Sequence, residues 1–345
     1  MLGLTVALKR PLSPGGNQIT LTKQVTKSLK IQGREVQPEM IGFLRDADCN
    51  CDLEEQLVRD GYLLLRGLHD PEAVQAARIE ILQRLVEVDE IAEPAGDGIA
   101  TGRSKRAEMH SDLGAFWRSV SEGRALRDVI NGPRITQAMS DLFGEPAAHF
   151  TFAWLRAMTA GRASPLHIDH PYMNRGSSAL VTCWSPMGSV DLDEGPLFIV
   201  EGSHAWSELR VQFEGLDVDR EPDRPGHLKE SAADLARDKG ARLLTTSFQP
   251  GDCLVFGMFT AHAAFDNGST SGRVRVSCDT RFQPASHVMD ERFSGPNPPA
   301  HGGLGYGCLS AARPMTGGTN AAIICWRRVR RYWKAMLLHK MIFCN

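Results

Sequence analysis

Two hydrophobic patterns divide the chain, and the first is helical. Between Ala73 and Val88 apolar residues recur three and four positions apart, which is the spacing of one helix face. Asp70-Pro71-Glu72 precedes this run with a capping carboxylate, a proline at the first helical position and an acid in the first turn. We therefore predict an amphipathic helix there, and shorter helices over 53–58, 113–117, 125–129 and 133–143.

The second pattern consists of short apolar runs separated by Gly, Pro and other turn residues. It predominates from His149 onward and is typical of a β-sandwich or barrel rather than of a parallel α/β sheet. A charged, partly helical stretch at 205–240 interrupts it. The pattern predicts a mainly β (α+β) domain with peripheral helices, with strands at 61–67, 150–158, 166–169, 180–185, 197–200, 243–248, 253–256 and 274–282.

The two ends of the chain lack both patterns. Residues 1–40 carry scattered Gly, Pro and Lys, so we predict a loosely ordered leader with one short strand at 19–21. The β domain is predicted to span residues 41–297 as a single domain. Residues 298–345 are Gly-rich and then basic and aromatic from Trp326 to Lys334, and the sequence predicts no function for this tail.

Composition narrows the function classes. A formal net charge of −2 lacks the basic excess that binding to nucleic acid requires. No apolar run approaches the ~18 residues that span a bilayer, and the first basic residues follow the apolar start instead of preceding it, unlike a secretory signal. The eight cysteines include no C-x-x-C pair, so neither a zinc ribbon nor a redox dithiol is indicated. We predict a cytoplasmic monomer or homodimer without membrane or nucleic-acid partners.

Candidate metal ligands occur in the segment Pro165 to Pro171. In an extended chain His167 and Asp169 point to the same side, so one imidazole and one carboxylate converge. These are two of the three ligands of the two-histidine, one-carboxylate site that holds non-haem Fe(II). His262, just past the predicted strand 253–256, is the candidate for the third. An H-x-D tripeptide also occurs in ordinary turns, and His110-Ser111-Asp112 has the same spacing in a polar segment with no predicted strand.

An ordered set of motifs follows the first two ligands: Trp184, Gly195-Pro196-Leu197, Gly202-Ser203-His204, Gly251-Asp252, His262, Asn267 and Arg273-Val274-Arg275. With these residues the chain resembles the phytanoyl-CoA dioxygenase family of Fe(II)/2-oxoglutarate oxygenases, from about Asp60 to about Arg292. The resemblance implies a double-stranded β-helix (jelly roll, cupin-like) with the insertion 205–240 beside the barrel mouth. It also implies Fe(II) bound by His167, Asp169 and His262, and hydroxylation of a small-molecule substrate by 2-oxoglutarate and dioxygen (O2), with release of succinate and CO2.

The resemblance further implies an arginine for the distal carboxylate of 2-oxoglutarate, because a guanidinium group offers a planar fork of donors. Counting from His262, as the family spacing implies, favours Arg273, whereas counting back from the strand residues 276–282 favours Arg275. Trp184 is expected to pack on the aliphatic part of the co-substrate, although a core aromatic residue would have the same sequence signature.

Three further polar residues are expected to have supporting roles. His170 adjoins the ligands but should point to the opposite face, and His204 is not an iron ligand in relatives. Asn267 is predicted to fix the loop that carries His262. The basic residues of the predicted substrate loops at 95–112 and 205–240 are expected to be solvated, namely Arg103, Lys105, Arg106, Arg210 and Arg220.

Two other functions fit parts of this pattern. A non-catalytic β-helix domain would bind a ligand or partner without iron or 2-oxoglutarate. A cupin-type metal enzyme of another reaction class would keep the three metal ligands but would have no use for Arg273 or Arg275. The three ligands and an arginine in this order favour the oxygenase.

Overall fold

A computed structural model describes residues 28–316 apart from residue 49. The strands are β1 (Lys30–Ile31), β2 (Arg34–Glu35), β3 (Ile41–Phe43), β4 (Tyr62–Leu65), β5 (Ala147–His149), β6 (Trp154–Met158), β7 (Val181–Pro186), β8 (Leu197–Val200), β9 (Leu243–Thr245), β10 (Cys253–Gly257), β11 (His262–Ala264) and β12 (Arg275–Pro284). The α-helices are α1 (Leu53–Asp60), α2 (Pro71–Glu87), α3 (Arg106–Met109), α4 (Leu113–Ser121), α5 (Arg124–Ile130), α6 (Pro133–Phe143), α7 (Ser207–Phe213) and α8 (Ala232–Asp238).

Two sheets form a double-stranded β-helix. The larger sheet has the order β4-β10-β7-β12-β5, with β6 also paired to β12, and the smaller has the order β11-β8-β9-β3. All pairs in these two sheets are antiparallel except β3 with β9. An apolar cluster that includes Trp184, Leu197, Leu244 and Phe256 joins the two sheets. The predicted mainly β fold with peripheral helices is confirmed.

The larger sheet is covered on both faces. On β7, Val181 and Cys183 pack with Met139 of α6, whereas Trp184 packs into the cluster between the sheets. This division follows from the alternation of side chains along a strand. Within residues 28–316, no helix is long and apolar enough to cross a membrane.

Most predicted helices are confirmed. Asp70 caps α2 by accepting a hydrogen bond from the Glu72 backbone N–H at 2.9 Å. The helix predicted at 133–143 has those bounds, and Gly144 ends it in the left-handed conformation. Ser231 caps α8 inside the insertion, where its hydroxyl accepts from the Asp234 N–H.

The strand predicted at 166–169 is wrong. His167 forms only isolated bridges, to His262 and His227, and Asp169 has helical angles (φ −80°, ψ −25°). A 3-10 helix, His170–Tyr172, follows directly and contains Pro171. A proline has no N–H to donate to a ladder, and it fits the first turn of a helix, so the extended run cannot continue past Asp169.

Described residues outside the predicted domain 41–297 also take part in the packing. Residues within the predicted leader form the β1–β2 hairpin and bury Leu29 and Val36, while the strand predicted at 19–21 lies outside the described residues. At the other end, 3-10 helices within 301–312 pack on the barrel, and the Tyr306 ring stacks on Phe152 with centroids 4.3 Å apart. The described packing therefore extends beyond 41–297 on both sides, and the basic segment 326–334 lies outside the described residues.

The close contact between Gly61 and the His204 ring can be tested by mutation. It ends α1 with φ +79°, and a Cβ atom there would lie 2.2 Å from Nδ1 of His204, whose Nε2 is 3.1 Å from the Val58 carbonyl oxygen. Gly61→Ala is expected to lower the free energy of unfolding by about 1–2 kcal/mol for the left-handed conformation and by about 1 kcal/mol more for the displaced ring. Chemical denaturation measures the sum of the two losses.

Gly144→Ala is the matched control for this variant. Gly144 also ends a helix with positive φ (+66°), but a Cβ atom there would meet nothing within 4 Å. Gly144→Ala should lose only the part of the free energy of unfolding that comes from the left-handed backbone conformation. Equal losses in the two variants would contradict the proposed contact with His204.

Candidate active site

His167, Asp169 and His262 converge at one end of the barrel. The Nε2 atoms of His167 and His262 lie 3.7 and 4.0 Å from Oδ1 of Asp169, and the three ligand atoms are all within 4.8 Å of one another. Metal–nitrogen bonds are about 2.0–2.1 Å long, so one ion can reach all three atoms after small side-chain movements. In the part of the chain that the structure describes, this is the one group of three or more His, Cys, Asp or Glu residues placed to share a metal ion.

Backbone pairing brings the distant ligands together. His167 and His262 exchange two backbone hydrogen bonds, of 3.1 and 3.0 Å, as a single antiparallel bridge. The backbone N–H groups of Asp169 and His170 both donate to the Met258 carbonyl, in the turn between β10 and β11. The segment around Asp169 is therefore fixed to that turn although it is not a strand.

Both imidazoles are oriented by carbonyl groups. Nδ1 of His167 lies 2.8 Å from the Pro165 carbonyl oxygen, and Nδ1 of His262 lies 2.9 Å from that of Thr260. A carbonyl can only accept, so each Nδ1 carries the proton and each Nε2 presents a lone pair to the site. The chain thus selects the tautomer that binds a metal ion.

Electrostatics favour the same protonation states. Burial, together with the neighbouring His262, lowers the pKa of His167 to about 3, and burial also lowers the pKa of His262. Burial alone would raise the pKa of Asp169, but the Arg281 guanidinium and the two histidines hold it well below its usual range. At neutral pH the site therefore contains two neutral imidazoles and one carboxylate, which is the ligand set suited to Fe(II).

Arg275 lies in the cavity beside these ligands. The cavity is lined by Arg275, His167, His262 and Trp184 among others. The Arg275 side chain is buried, with Nη1 2.6 Å from the Ser277 hydroxyl, while Nε and Nη2 have no hydrogen-bond partner among the described residues. Burial lowers its pKa only to about 10, so it keeps its charge at neutral pH. Unpaired buried donors are costly, and an anion bound here would satisfy them.

Arg273 has a different environment. It precedes β12, and its Nη1 lies 2.9 and 3.1 Å from the two carboxylate oxygens of Glu194. Its side chain is 28% exposed and belongs to an ion pair. The structure therefore brings Arg275, and not the favoured Arg273, into the cavity.

Trp184 lines the cavity, and Asn267 has the loop-fixing role that the sequence predicted. Trp184 is buried on β7, packs edge-on against Phe248 and has the Arg275 guanidinium 5.9 Å from its ring centroid. The Asn267 side-chain amide donates to the carbonyls of Met158 (2.9 Å) and Arg273 (2.8 Å), which ties the loop after β11 to β6.

His170 and His204, the two histidines that the sequence left out of the metal ligands, lie outside the ligand group. His170 stacks on Phe259 with centroids 4.4 Å apart. His204 contacts the carbonyl of Val58 in the last turn of α1. The H-x-D tripeptide at 110–112 has a structural role, since Asp112 caps α4 through the Ala115 N–H.

Sequence reasoning missed four polar residues of the barrel interior. On β12 the alternate residues Ser277, Asp279 and Arg281 are buried polar positions in line with Arg275. Arg281 contacts Asp169, and Asp279 accepts a hydrogen bond from Nε of Arg156, which lines the cavity. The available signal was the alternation of polar residues in a strand that is otherwise apolar.

A further correction concerns Arg106, which was expected to be solvated. Its side chain is fully buried, forms an ion pair with Glu90 and donates to the Ala311 and Arg313 carbonyls. The arginine therefore connects the helical region to the C-terminal 3-10 helices.

The insertion at 205–240 borders the ligand segment, as expected. His227 forms a bridge with His167, the Leu228 N–H donates to the Leu166 carbonyl, and the Val218 N–H donates to the Pro171 carbonyl. Residues of the insertion therefore form one wall beside the metal-ligand candidates.

Comparisons with known proteins identify chains that are similar to this one. Two relatives, each called "1-deoxypentalenic acid 11-beta-hydroxylase", come from Streptomyces arenae and Streptomyces exfoliatus. Both are 27% identical to this chain, over 255 and 265 residues, which is 70% and 69% of the chain and 85% of each relative. Similar solved structures include the α-ketoglutarate-dependent epimerase SnoN (20% identity, TM-score 0.47, 72% of this chain, 92% of that one) and the carbocyclase SnoK (19%, 0.48, 81%, 98%), both from nogalamycin biosynthesis.

The family model named "Phytanoyl-CoA dioxygenase (PhyH)" matches residues 57–275, which is more than half of the chain. The matched range contains His167, Asp169, His262 and both candidate arginines. The chain therefore belongs to the phytanoyl-CoA dioxygenase (PhyH) family of Fe(II)/2-oxoglutarate-dependent oxygenases.

Proposed function

We propose that this oxygenase hydroxylates a small organic molecule, with Fe(II) bound by His167, Asp169 and His262 and with 2-oxoglutarate bound at Arg275. The observation that carries the proposal is the shared cavity: the two histidines of the metal-ligand group and a buried arginine, with two donor atoms unpaired within the described residues, line the same space. A closed structural metal site would have no use for such an arginine, whereas a dicarboxylate co-substrate requires one.

Each residue has a defined task in this proposal. The two histidines and Asp169 hold the metal on one side, which leaves the other coordination positions for the co-substrate and dioxygen. Arg275 binds the distal carboxylate of 2-oxoglutarate, and Trp184 packs against its methylene groups. With Fe(II) and 2-oxoglutarate bound, the site has the oxidising chemistry that hydroxylation of an unactivated C–H bond requires, with succinate and CO2 as co-products.

The class of substrate is proposed from Arg156, a basic residue of the cavity lining. Arg156 lines the cavity with its side chain 25% exposed, and its Nε donates to Asp279 at 3.0 Å. A basic group at this position supports a substrate that carries a carboxylate. The two Streptomyces relatives are named for a carboxylic acid, so 1-deoxypentalenic acid is the first compound to test. The cytoplasmic location and the monomeric or homodimeric state stay predictions.

Anaerobic reconstitution tests the proposal. The metal-free protein, titrated with Fe(II) and then with 2-oxoglutarate, should develop a weak visible charge-transfer band that chelation of the metal removes. A screen of small carboxylic acids for substrate-stimulated succinate release should follow. A folded protein that binds neither Fe(II) nor 2-oxoglutarate would favour the non-catalytic domain, and one that binds iron but not 2-oxoglutarate would favour the cupin-type enzyme.

A further inference from the structure

The two oxygens of Asp169 have different surroundings. Oδ2 accepts hydrogen bonds from the Thr182 hydroxyl at 2.5 Å and from Nη2 of Arg281 at 3.0 Å. Oδ1 instead faces the Nε2 atoms of the two candidate histidine ligands, at 3.7 and 4.0 Å. Oδ2 is therefore held by hydrogen bonds within the protein, whereas Oδ1 faces the candidate histidine ligands.

The two donors are held rigidly by the larger sheet. Thr182 on β7 and Arg281 on β12 are direct partners in the antiparallel register, so they lie side by side on the inner face. Both residues are buried, and the Arg281 guanidinium lies over the Trp154 ring, 4.4 Å from its centroid. Because both side chains extend from central strands and not from loops, the position of Oδ2 is fixed before any metal binds.

We infer that Thr182 and Arg281 are positioning residues that restrict Asp169 to one metal-binding oxygen. This inference rests on the proposed function. A carboxylate can bind a metal ion through one oxygen or through both, and the second mode needs an Oδ2 that is free of strong hydrogen bonds. Charge-assisted hydrogen bonds, such as the one from Arg281, are about twice as strong as neutral ones.

The restriction matters because of the number of coordination positions. Three ligands that each contribute one atom leave three positions on an octahedral ion, enough for the two donor oxygens of 2-oxoglutarate and for dioxygen. Two-oxygen binding by Asp169 would leave only two positions, and 2-oxoglutarate would fill both. Thr182 and Arg281 therefore preserve the position at which dioxygen binds.

A pair of Thr182 variants tests the inference. Thr182→Val keeps the shape of the side chain and removes the hydroxyl, whereas Thr182→Ser keeps the hydroxyl. The measurement is the iron-nitrosyl EPR signal of the Fe(II)·2-oxoglutarate protein at a fixed nitric oxide concentration, because nitric oxide needs the dioxygen position. We expect the signal of Thr182→Val to fall about 10-fold, in the range found when hydrogen bonds to metal ligands are removed. Thr182→Ser should restore it.

Thr280→Val is the matched control. Thr280 is also a buried threonine of the larger sheet, but its hydroxyl makes no hydrogen bond within the described residues. The control should keep the wild-type signal, and its thermal unfolding midpoint without metal should equal or exceed that of the wild type, because it loses an unpaired buried hydroxyl. A wild-type signal in Thr182→Val would overturn the inference.

Arg281→Lys repeats the test if Thr182→Val fails to fold. It keeps the positive charge beside Asp169 but removes the planar guanidinium, and we expect it to lose the nitrosyl signal as well. An unchanged signal in this variant would also overturn the inference. The two proposals fail differently: a wild-type protein without Fe(II) binding contradicts the proposed function, whereas normal wild-type binding with unaffected variants contradicts only this inference.

Discussion

Asp169→Ala is expected to abolish Fe(II) binding and succinate release, and also to destabilise the metal-free protein. The substitution removes one metal ligand and leaves the Arg281 guanidinium buried without its acidic partner. Removing one partner of a buried ion pair costs about 3–5 kcal/mol. Anaerobic calorimetry with Fe(II), succinate assays and chemical denaturation of the metal-free protein measure the three effects.

Two further variants separate these effects. Asp169→Asn keeps a side-chain oxygen that can accept from Thr182 and Arg281, so it should lose iron binding while recovering part of the stability. His170→Ala removes an imidazole that is next to Asp169 in the chain but stacks on Phe259 and is not part of the metal-ligand group. Iron binding in this variant should therefore stay close to wild type. Stoichiometric Fe(II) in Asp169→Ala would show that the metal site has been assigned wrongly.

The convergence of His167, Asp169 and His262 was predictable from sequence, although the conformation used to predict it was wrong. The H-x-D spacing was interpreted as a strand, which would place the two side chains on one face. Instead Asp169 has helical angles and begins a 3-10 helix, and His167 is fixed by its bridge to His262. The side chains converge because residues 95 positions apart pair through their backbones. Spacing alone does not contain that information.

The missed residues depend on strand register. Thr182 faces Arg281 because β7 and β12 pair with that register, and a shift of one residue would turn each side chain to the other face. Arg275 and Arg273 both fit the sequence pattern, but only Arg275 lies within β12 with its side chain directed into the barrel. Counting from His262 and counting back from the strand select different arginines, and the sequence alone does not say which count applies.

The burial of Arg106 was hidden from the sequence for a related reason. Its acidic partner Glu90 lies 16 residues earlier, and its carbonyl partners lie about two hundred residues later, in the 3-10 helices near 311–313. A basic residue in a polar segment is usually solvated. Only the packed structure reveals the contacts that make its burial possible.

Arg275→Met is expected to raise the KM for 2-oxoglutarate greatly without destabilising the protein. Loss of a buried charge that pairs with a ligand costs about 2–5 kcal/mol of binding energy, which is roughly 30- to 4,000-fold. Stability without the co-substrate is not expected to fall, because within the described residues Arg275 has no acidic partner at ion-pair distance and a methionine there would relieve two unpaired buried donors. The free energy of unfolding of Arg275→Met should therefore stay the same or increase.

Arg273→Met is the matched control, since it removes the same charge two residues earlier. Its guanidinium pairs with Glu194 at the edge of the barrel, so the KM for 2-oxoglutarate should change little and stability should fall slightly. The charge-transfer band, titrated with 2-oxoglutarate, measures binding in both variants without a known substrate. A large loss of 2-oxoglutarate affinity in Arg273→Met with normal affinity in Arg275→Met would reverse the assignment. It would also mean that the ion pair with Glu194 opens when the co-substrate binds, because only then can Arg273 turn its guanidinium into the cavity.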